Sequence, residues 1–462
     1  MPKKLFDIEL IKRYDRKGPR YTSYPTAVEF SPEFSAEDYK FQAAESNQHL
    51  IPKPLSLYFH IPFCHSLCYY CGCTKKITNH PEEAEVYLAA LRKEIEWQGQ
   101  LFDRDRPVTQ LHFGGGTPTF LTDQQLRELL QHTARYFSMY DSAGAEWSIE
   151  IDPRTMDASR IKALAEMGFN RLSMGVQDFE PRVQKAVNRV QSVEETQVLI
   201  DAAREHSFRS VSIDLIYGLP LQTKSSFKRT LKTITKMRPD RISVYNYAHL
   251  PERFKAQRLI DEKDIPTPDD KLQLLGLSIE YLTEAGYVYI GMDHFALPDD
   301  DLVIARENGT LQRNFQGYST CAQCDLVGLG VSSIGQVRDC FSQNQKILPE
   351  YYRVIESGEL PVERGLMIKD EDWLRHDIIQ KIMCHGVVRF DDYKYSYSID
   401  FKQFFAQELK NLWPMQKDGL LLISDDKLTV TEAGRMFLRS IAMEFDEYLS
   451  KDSNKQRFSK VI

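Results

Sequence analysis

The chain has 462 residues, 42% hydrophobic and 27% charged, a globular composition able to bury roughly three quarters of its unfolded surface in one large domain and a smaller one. A formal net charge of -7 gives no overall positive field to recruit nucleic acid. The charged opening MPKKLFDIELIKRYDRKGPR lacks the apolar core of a secretory signal, and nothing approaches the roughly 18 uninterrupted apolar residues of a membrane span, so the expectation is a cytoplasmic enzyme without a membrane partner.

Residues 1–54 read as a polar, Pro-rich lead containing RYTSYPT. From residue 55 a rhythm sets in, in which β-branched or aromatic runs are followed by a turn and a helical stretch with apolar residues at three and four spacing. The runs are LSLYFHI, VTQLHFG, EWSIEID, FNRLSMGV, SVSIDLIYG and DRISVYNYA. Between them lie EEAEVYLAALRKEIEWQ, TDQQLRELLQHTARYF, DASRIKALAEMG, SVEETQVLIDAAREH and TKSSFKRTLKTITKM, several opened by a Ser, Thr or Asp N-cap and one closed by Gly168. Strand and helix units in succession predict a parallel sheet with crossover helices.

A doubly wound sheet and a barrel both fit that alternation, and the unusual residues favour the barrel. They sit where strands end: cysteines after LSLYFHIPF, GGGTPT after LHF, Glu150 and Asp152 after WSI, Gln177 after LSMGV, Asp214 within SIDLIYGLP, and Asn246 to His249 after ISVY. Such groups would converge on the rim where barrel enzymes do their chemistry. The predicted fold is α/β, a partial (β/α)6 TIM-like barrel over residues 55–300, with an N-terminal extension (1–54) closing on the active site and a mainly helical C-terminal accessory domain (301–462) capping the substrate. Its LLISDDKLTVTEAGRMFLRSIAMEF reads as a hairpin and a helix, winged-helix-like, but no basic cluster accompanies it to suggest DNA binding.

CHSLCYYCGC places four thiols in ten residues directly after the first strand. Eight cysteines in so long a chain are not the density of a disulfide-stapled domain. Structural zinc usually takes two separated pairs, and the one other pair, Cys321 and Cys324, lies some 250 residues away. Spacings of three, two and one residue between thiols suit a loop wrapped around an iron-sulfur cubane, each iron taking one thiolate. Counting does not settle which three of the four ligate, although Cys71 and Cys73 flank a single Gly and would crowd one another, so one of that pair is expected free. The histidines His60, His65 and His112 read as hydrogen-bonded structural residues more readily than as ligands.

With Cys64, Cys68 and Cys71 in a CxxxCxxC pattern, the sequence resembles the radical S-adenosylmethionine superfamily. More narrowly it is similar to the oxygen-independent coproporphyrinogen III oxidases (dehydrogenases) of haem biosynthesis. The stretches that carry this are YFHIPFCHSLCYYCGC, LHFGGGTPT, SIEIDPR, NRLSMGVQDF, IDLIYGLP, NYAHLP, RNFQGY and RYTSYPT. The resemblance implies that Cys64, Cys68 and Cys71 bind three irons of a [4Fe-4S] cluster, that S-adenosylmethionine chelates the fourth, and that Cys73 is a nonligand needed for activity. It further implies two S-adenosylmethionine molecules. Tyr58, Gly115, Glu150 and Ile334 fall at the one on the cluster, and Tyr70, Gly116, Thr117, Gln177, Arg189, Asp214 and Ala248 at the second.

The residue chemistry is compatible with that transfer. Three glycines leave backbone room for a ligand's amino acid end, Glu150 and Asp214 can accept from an ammonium or a hydroxyl, and Arg189 can fork onto a carboxylate. The implied reaction converts two propionates of coproporphyrinogen III to vinyl groups, giving protoporphyrinogen IX. A low-potential flavodoxin- or ferredoxin-like donor protein is implied as a partner and the chain as a monomer. Arg20 with Tyr21, and Arg313 with Asn314, are candidates for the substrate carboxylates. Two departures from the family pattern are the CxxC of Cys321 and Cys324 and the segment CHGVVRF. The alternative is a haem-binding trafficking chaperone of the same superfamily, whose relatives lack the fourth cysteine and the N-terminal segment.

Overall fold

The computed structural model describes residues 6–139, 144–320 and 324–451. Contacts divide the chain into two compact units, one of residues 29–267 and 323–367, the other of residues 1–28, 268–322 and 368–462.

The first unit is built on the parallel strands β1 (Leu55–Ile61), β2 (Pro107–Gly115), β3 (Glu146–Ile151), β4 (Arg171–Gln177), β5 (Ser210–Tyr217) and β6 (Arg241–Asn246). They are hydrogen-bonded side by side in chain order, as a partial (β/α)6 barrel requires. Crossovers are made by helices α1 (Pro81–Gly99), α2 (Asp123–Tyr136), α3 (Ala158–Glu166), α4 (Val193–Glu205) and α5 (Lys224–Met237). Helices α2, α4 and α5 start with capping boxes at Thr122, Ser192 and Thr223, and Asp157 caps α3. Gly168, at φ +101°, ends the α3 segment in the left-handed region that a Cβ disfavours.

Beyond β1 the sheet continues through β7 (Asp325–Leu329), parallel to β1, and then the antiparallel β8 (Ile334–Val337), β9 (Cys340–Asn344) and β10 (Val362–Met367). The strand and helix rhythm does not announce this extension, because hairpin strands carry no crossover helix. The buried ion pair of Arg106 with Asp325, 2.5 Å, fastens β7 where it enters the sheet, and Arg106 also donates to Lys53 O, Ser46 Oγ and Asn47 Oδ1. Across the register, Leu57, Leu111 and Trp147 form one row and Phe59, Phe113 and Ile149 the next, with the Phe59 and Phe113 rings stacked at 4.5 Å. The intervening positions are polar or small: Tyr58 opposite His112 opposite Ser148, and Glu150 opposite Ser173 opposite Ser212. Period-2 alternation therefore separates an apolar face from a face that carries chemistry.

In the second unit, the strands Val387–Arg389, Lys427–Val430 and Leu421–Ile423 form a small antiparallel sheet beside helices such as Asp370–Cys384 and Leu438–Ala442, the hairpin-then-helix pattern expected of the tail. The RYTSYPT segment is held here by a buried Tyr21 hydroxyl donating to Asp446 Oδ2 at 2.9 Å. Arg20 pairs with Asp293, and its carbonyl accepts from Arg313 Nε at 3.2 Å while Arg313 lies 4.8 Å over the Tyr318 ring. Asn314 Oδ1 accepts from Gln316 N at 2.9 Å, closing the Gln312–Asn314 hairpin turn. Cys384 is buried against Gln380, which pushes its thiol up to about 12 and makes it inert.

Behind the sheet of the first unit, Glu94 of α1 is fully buried and accepts from Tyr351 Oη (2.6 Å), Gly330 N (2.9 Å) and Asn344 Nδ2 (2.6 Å). Burial outweighs these donors and raises its pKa from 4.5 to about 7. The folded chain thus holds this proton more tightly than the unfolded one, and the stability it contributes is present below about pH 4.5 and lost as the pH rises through 7. Denaturant unfolding at pH 5 and pH 8 should show Glu94→Gln losing less stability over that interval than the unaltered chain, by up to about 3 kcal/mol.

Candidate active site

The carboxyl ends of β1 to β5 enclose a cavity of about 200 Å³. Its wall takes in Cys64, Cys68, Cys71 and Cys73 with Tyr70 from the loop after β1, Gly115, Gly116 and Thr117 from the end of β2, and Glu150, Gln177, Arg189 and Asp214 from the later units. Three residues expected at the site do not line this wall. Tyr58 lies deeper, its ring stacked on His112 at 5.7 Å and its hydroxyl 3.2 Å from His60 Nδ1. Ile334 packs over Gly328, the β7 partner of Tyr58, and Ala248 follows β6, its carbonyl accepting from Gln257.

The cysteine loop has little secondary structure of its own and is pinned from several sides. Gly116 N donates to Ile61 O and Thr117 N to Phe63 O, both at 2.8 Å, which carries the β1 to β2 pairing past the strand ends. A Cβ on Gly116 would stand 2.8 Å from Phe63 O and 3.1 Å from Cys64 Sγ, so only glycine allows the approach. Gly115, at φ +113°, would drive a Cβ to within 2.8 Å of the His60 ring. Tyr69 N donates to Val187 O, Asn188 Nδ2 to Leu67 O, and His60 Nε2 lies 3.0 Å from Thr74 O. His65 and His112 are likewise hydrogen-bonded, to Asn79 and to Ser148 and Glu150.

The four thiols differ electrostatically. Burial pushes Cys64 up to about 11 despite the Thr117 hydroxyl 3.4 Å from its sulfur. The Cys73 thiol donates toward Cys71, which, with Lys75 alongside, brings Cys71 down to about 5 and raises Cys73 correspondingly. Cys68 takes two guanidinium contacts, from Arg189 Nη1 at 3.4 Å and Arg154 Nη2 at 3.5 Å. Among acids, burial and then the neighbouring Glu150 raise Asp214 to about 7, while Glu150 is held by His112 Nε2 at 3.1 Å. Burial raises Asp152 too, but hydrogen bonds and charge from Arg154 and Arg189 leave it below the usual range overall.

Among the described residues, no three His, Cys, Asp or Glu side chains converge as ligands of a single ion. A cubane asks for a different arrangement, thiolates spread around a cavity with one to each iron, and Cys64, Cys68 and Cys71 on one cavity wall suit it. Cys324 stands 3.3 Å from Thr109, beside the strand starts where Asp325 pairs with Leu55. Six residues of β1, about 20 Å at 3.3 Å per residue, separate that end from the cysteine loop, so Cys324 does not complete a zinc site with it. Cys321 lies outside the described residues.

The sequence profile of the radical SAM superfamily matches residues 58–234. An oxygen-independent coproporphyrinogen III oxidase of Pseudomonas aeruginosa is 49% identical over 99% of both chains, and that of Escherichia coli is 46% identical over 99% of this chain and 98% of its own. The chain belongs to the oxygen-independent coproporphyrinogen III oxidase family. A solved structure of the Escherichia coli coproporphyrinogen III oxidase, described as a radical SAM enzyme, superposes with a TM-score of 0.91 at 45% identity, covering 96% of this chain and 99% of that one.

In this member of the coproporphyrinogen III oxidase family, Asp152 lines the cavity as its strand-end position predicts, while sequence reasoning missed several residues of the wall, among them Lys75, Arg154, Ser173 and Gly175. Period-2 alternation from Gln177 back through Gly175 to Ser173 was the available signal for the last two. Gln257 was missed entirely. Only 2% exposed, it donates to Tyr70 O (3.0 Å) and Ala248 O (3.2 Å) and accepts from Leu250 N (2.5 Å), joining two segments expected at the second ligand site. Gln257→Ala removes hydrogen bonds to three part-buried backbone groups, and chemical denaturation should register a loss of about 1–3 kcal/mol.

Proposed function

We propose that this chain converts coproporphyrinogen III to protoporphyrinogen IX without oxygen, removing carbon dioxide and hydrogen from two propionates to leave vinyl groups. The observation that carries the reading is the coincidence of full-length identity to oxygen-independent coproporphyrinogen III oxidases with a cavity walled by four cysteines and a glycine-rich strand end. A [4Fe-4S] cluster and S-adenosylmethionine, when bound, supply the radical chemistry that takes hydrogen from an unactivated carbon.

Cys64, Cys68 and Cys71 would hold the cluster, and Cys73, exposed and carrying the shared proton with Cys71, would act beside it as a nonligand. Gly115 brings bare backbone to the place where the amino acid end of S-adenosylmethionine would lie, and Tyr58, Glu150 and Ile334 would meet the same molecule. His112 fixes the direction of the Glu150 carboxylate. A second S-adenosylmethionine would be met by Tyr70, Gly116, Thr117, Gln177, Arg189, Asp214 and Ala248. Asp214, raised to about 7, can present either a carboxylate or a carboxyl to a ribose hydroxyl near neutral pH. Arg20 and Arg313 are the candidates for the propionates. A low-potential flavodoxin- or ferredoxin-like protein would deliver electrons to a cytoplasmic monomer. Among the described residues no helix is long and apolar enough to cross a membrane.

The haem-trafficking alternative is not favoured, since relatives matched over the whole chain carry the oxidase name and Cys73 is present. Anaerobic turnover of coproporphyrinogen III with S-adenosylmethionine and a strong reductant should yield protoporphyrinogen IX, methionine and 5'-deoxyadenosine, whereas tight haem binding without turnover refutes the proposal. Replacing Cys64, Cys68 or Cys71 by Ser should remove both bound iron and turnover. Cys73→Ser should keep about four irons per chain and lose turnover at least a hundredfold, and loss of iron from that variant would overturn its nonligand role.

A further inference from the structure

Arg154 has no part in the reading above, yet it reaches the cysteine loop. It lies in the short turn Pro153–Thr155 after β3, which Asp152 caps by accepting from Arg154 N at 3.1 Å. The side chain folds back over that cap: Nε stands 2.9 and 3.1 Å from the two Asp152 oxygens, and Nη2 is 2.6 Å from Oδ2. Nη1 donates to Asn188 O at 3.3 Å, and Nη2, while bonded to the carboxylate, is also 3.5 Å from Cys68 Sγ. From the other side Arg189 reaches Cys68 Sγ at 3.4 Å and Asp152 Oδ2 at 3.2 Å, its Nε bonded to Gly175 O at 3.0 Å.

Two guanidiniums thus share one carboxylate around one thiol, a local surplus of one positive charge. The side chains are withdrawn from solvent, with Arg154 18%, Arg189 8% and Asp152 9% exposed, so water screens that surplus weakly. Asp152 also keeps Arg154 from swinging into the cavity toward a ligand carboxylate, because three of the five side-chain polar contacts of Arg154 are to that carboxylate. Neither of the other two ligand thiols has a guanidinium beside it: Cys64 has a neutral hydroxyl, and Cys71 has the Cys73 thiol and a lysine whose Nζ bonds the Cys71 carbonyl at 3.1 Å. Positive charge and N–H donors at a cluster sulfur favour the reduced, more negative state.

We propose that Arg154, locked by Asp152, raises the reduction potential of the iron-sulfur cluster held at Cys68 and so eases electron entry. The inference rests on the cluster reading above, and Arg154 acts through Cys68 as a positioning residue. The full-length chain, reconstituted anaerobically without S-adenosylmethionine, is titrated potentiometrically with EPR detection while iron per chain is counted. At the midpoint of the unaltered protein, Arg154→Gln should lower the ratio of reduced to oxidised cluster about tenfold, 59 mV for a one-electron couple, at unchanged iron content. Arg154→Lys, which keeps the charge, should recover most of that shift. Asp152→Asn, which removes the countercharge, should move the ratio upward. Equal midpoints for the unaltered chain and Arg154→Gln, both iron-loaded, would overturn this inference alone. If Arg154→Gln does not take up iron, Asp152→Asn decides, and an unmoved or lowered midpoint there overturns it. Failure of the unaltered chain to bind iron would instead remove the cluster reading and this inference with it.

Discussion

The close approach of the Gly114–Gly116 backbone to the cysteine loop is the constraint on which the site depends. Strand pairing ordinarily stops where strands end, but here Gly116 N and Thr117 N continue it onto Ile61 O and Phe63 O, so Cys64 leaves the sheet at a fixed point and direction. The tolerance is small, since a single methyl group on Gly116 would overlap the Phe63 carbonyl and press on the Cys64 sulfur. Further along, the loop is tied by hydrogen bonds to Val187, Asn188, Gln257 and His60, and its far end pairs back onto Pro62 and Cys64. Irregular backbone held by rigid neighbours suits a site that must place several ligands without relying on secondary structure.

The sheet makes this affordable through its two faces. One face, with Leu57, Phe59, Phe113, Ile149 and Met174, packs as an ordinary apolar core. The other carries Tyr58, His112, Glu150, Ser173 and Asp214 on neighbouring strands, so titratable groups come close diagonally, as His112 does to Glu150 at 3.1 Å. An unpaired charge there would be costly. His112 bonds Glu150, Ser173 bonds Asp214, and Asp214 reduces the remaining cost by holding its proton up to about pH 7.

Much of this was legible in the sequence, and for physical reasons. Strand alternation and helix caps are local, so six strands and five crossover helices could be read from spacing alone. The cysteine spacing and GGGTPT pointed to the rim, because strand ends converge wherever a parallel sheet curls. What escaped is nonlocal. Strands β7 to β10 join the sheet beside β1 from more than 200 residues further along the chain, with no helix between the hairpin strands to mark them. Gln257 looked like one more polar loop residue, since its significance lies in the carbonyls of Tyr70 and Ala248, and neither pairing leaves a trace in composition. Arg154, two residues after Asp152, lies in the turn that Asp152 caps, and nothing local in the sequence reveals the thiol on its other side.

Charge balance ties these observations together. The cavity wall carries Lys75, Arg154 and Arg189 against Glu150, Asp152 and Asp214, with Asp214 half neutral near pH 7, so the bare wall is close to balanced within a chain of net charge -7. Each thiol that ionises to hold metal adds a negative charge to that wall, and three would leave it strongly anionic unless compensated. The cations are not spread evenly to meet this. Both arginines stand at Cys68 and the lysine at Cys71, while Cys64 faces a hydroxyl and has its thiol raised by burial. Cys71 is therefore brought down to about 5 before anything binds, whereas Cys64, raised by burial, depends on the metal's own positive charge, which makes occupancy of the site the step that completes its electrostatics.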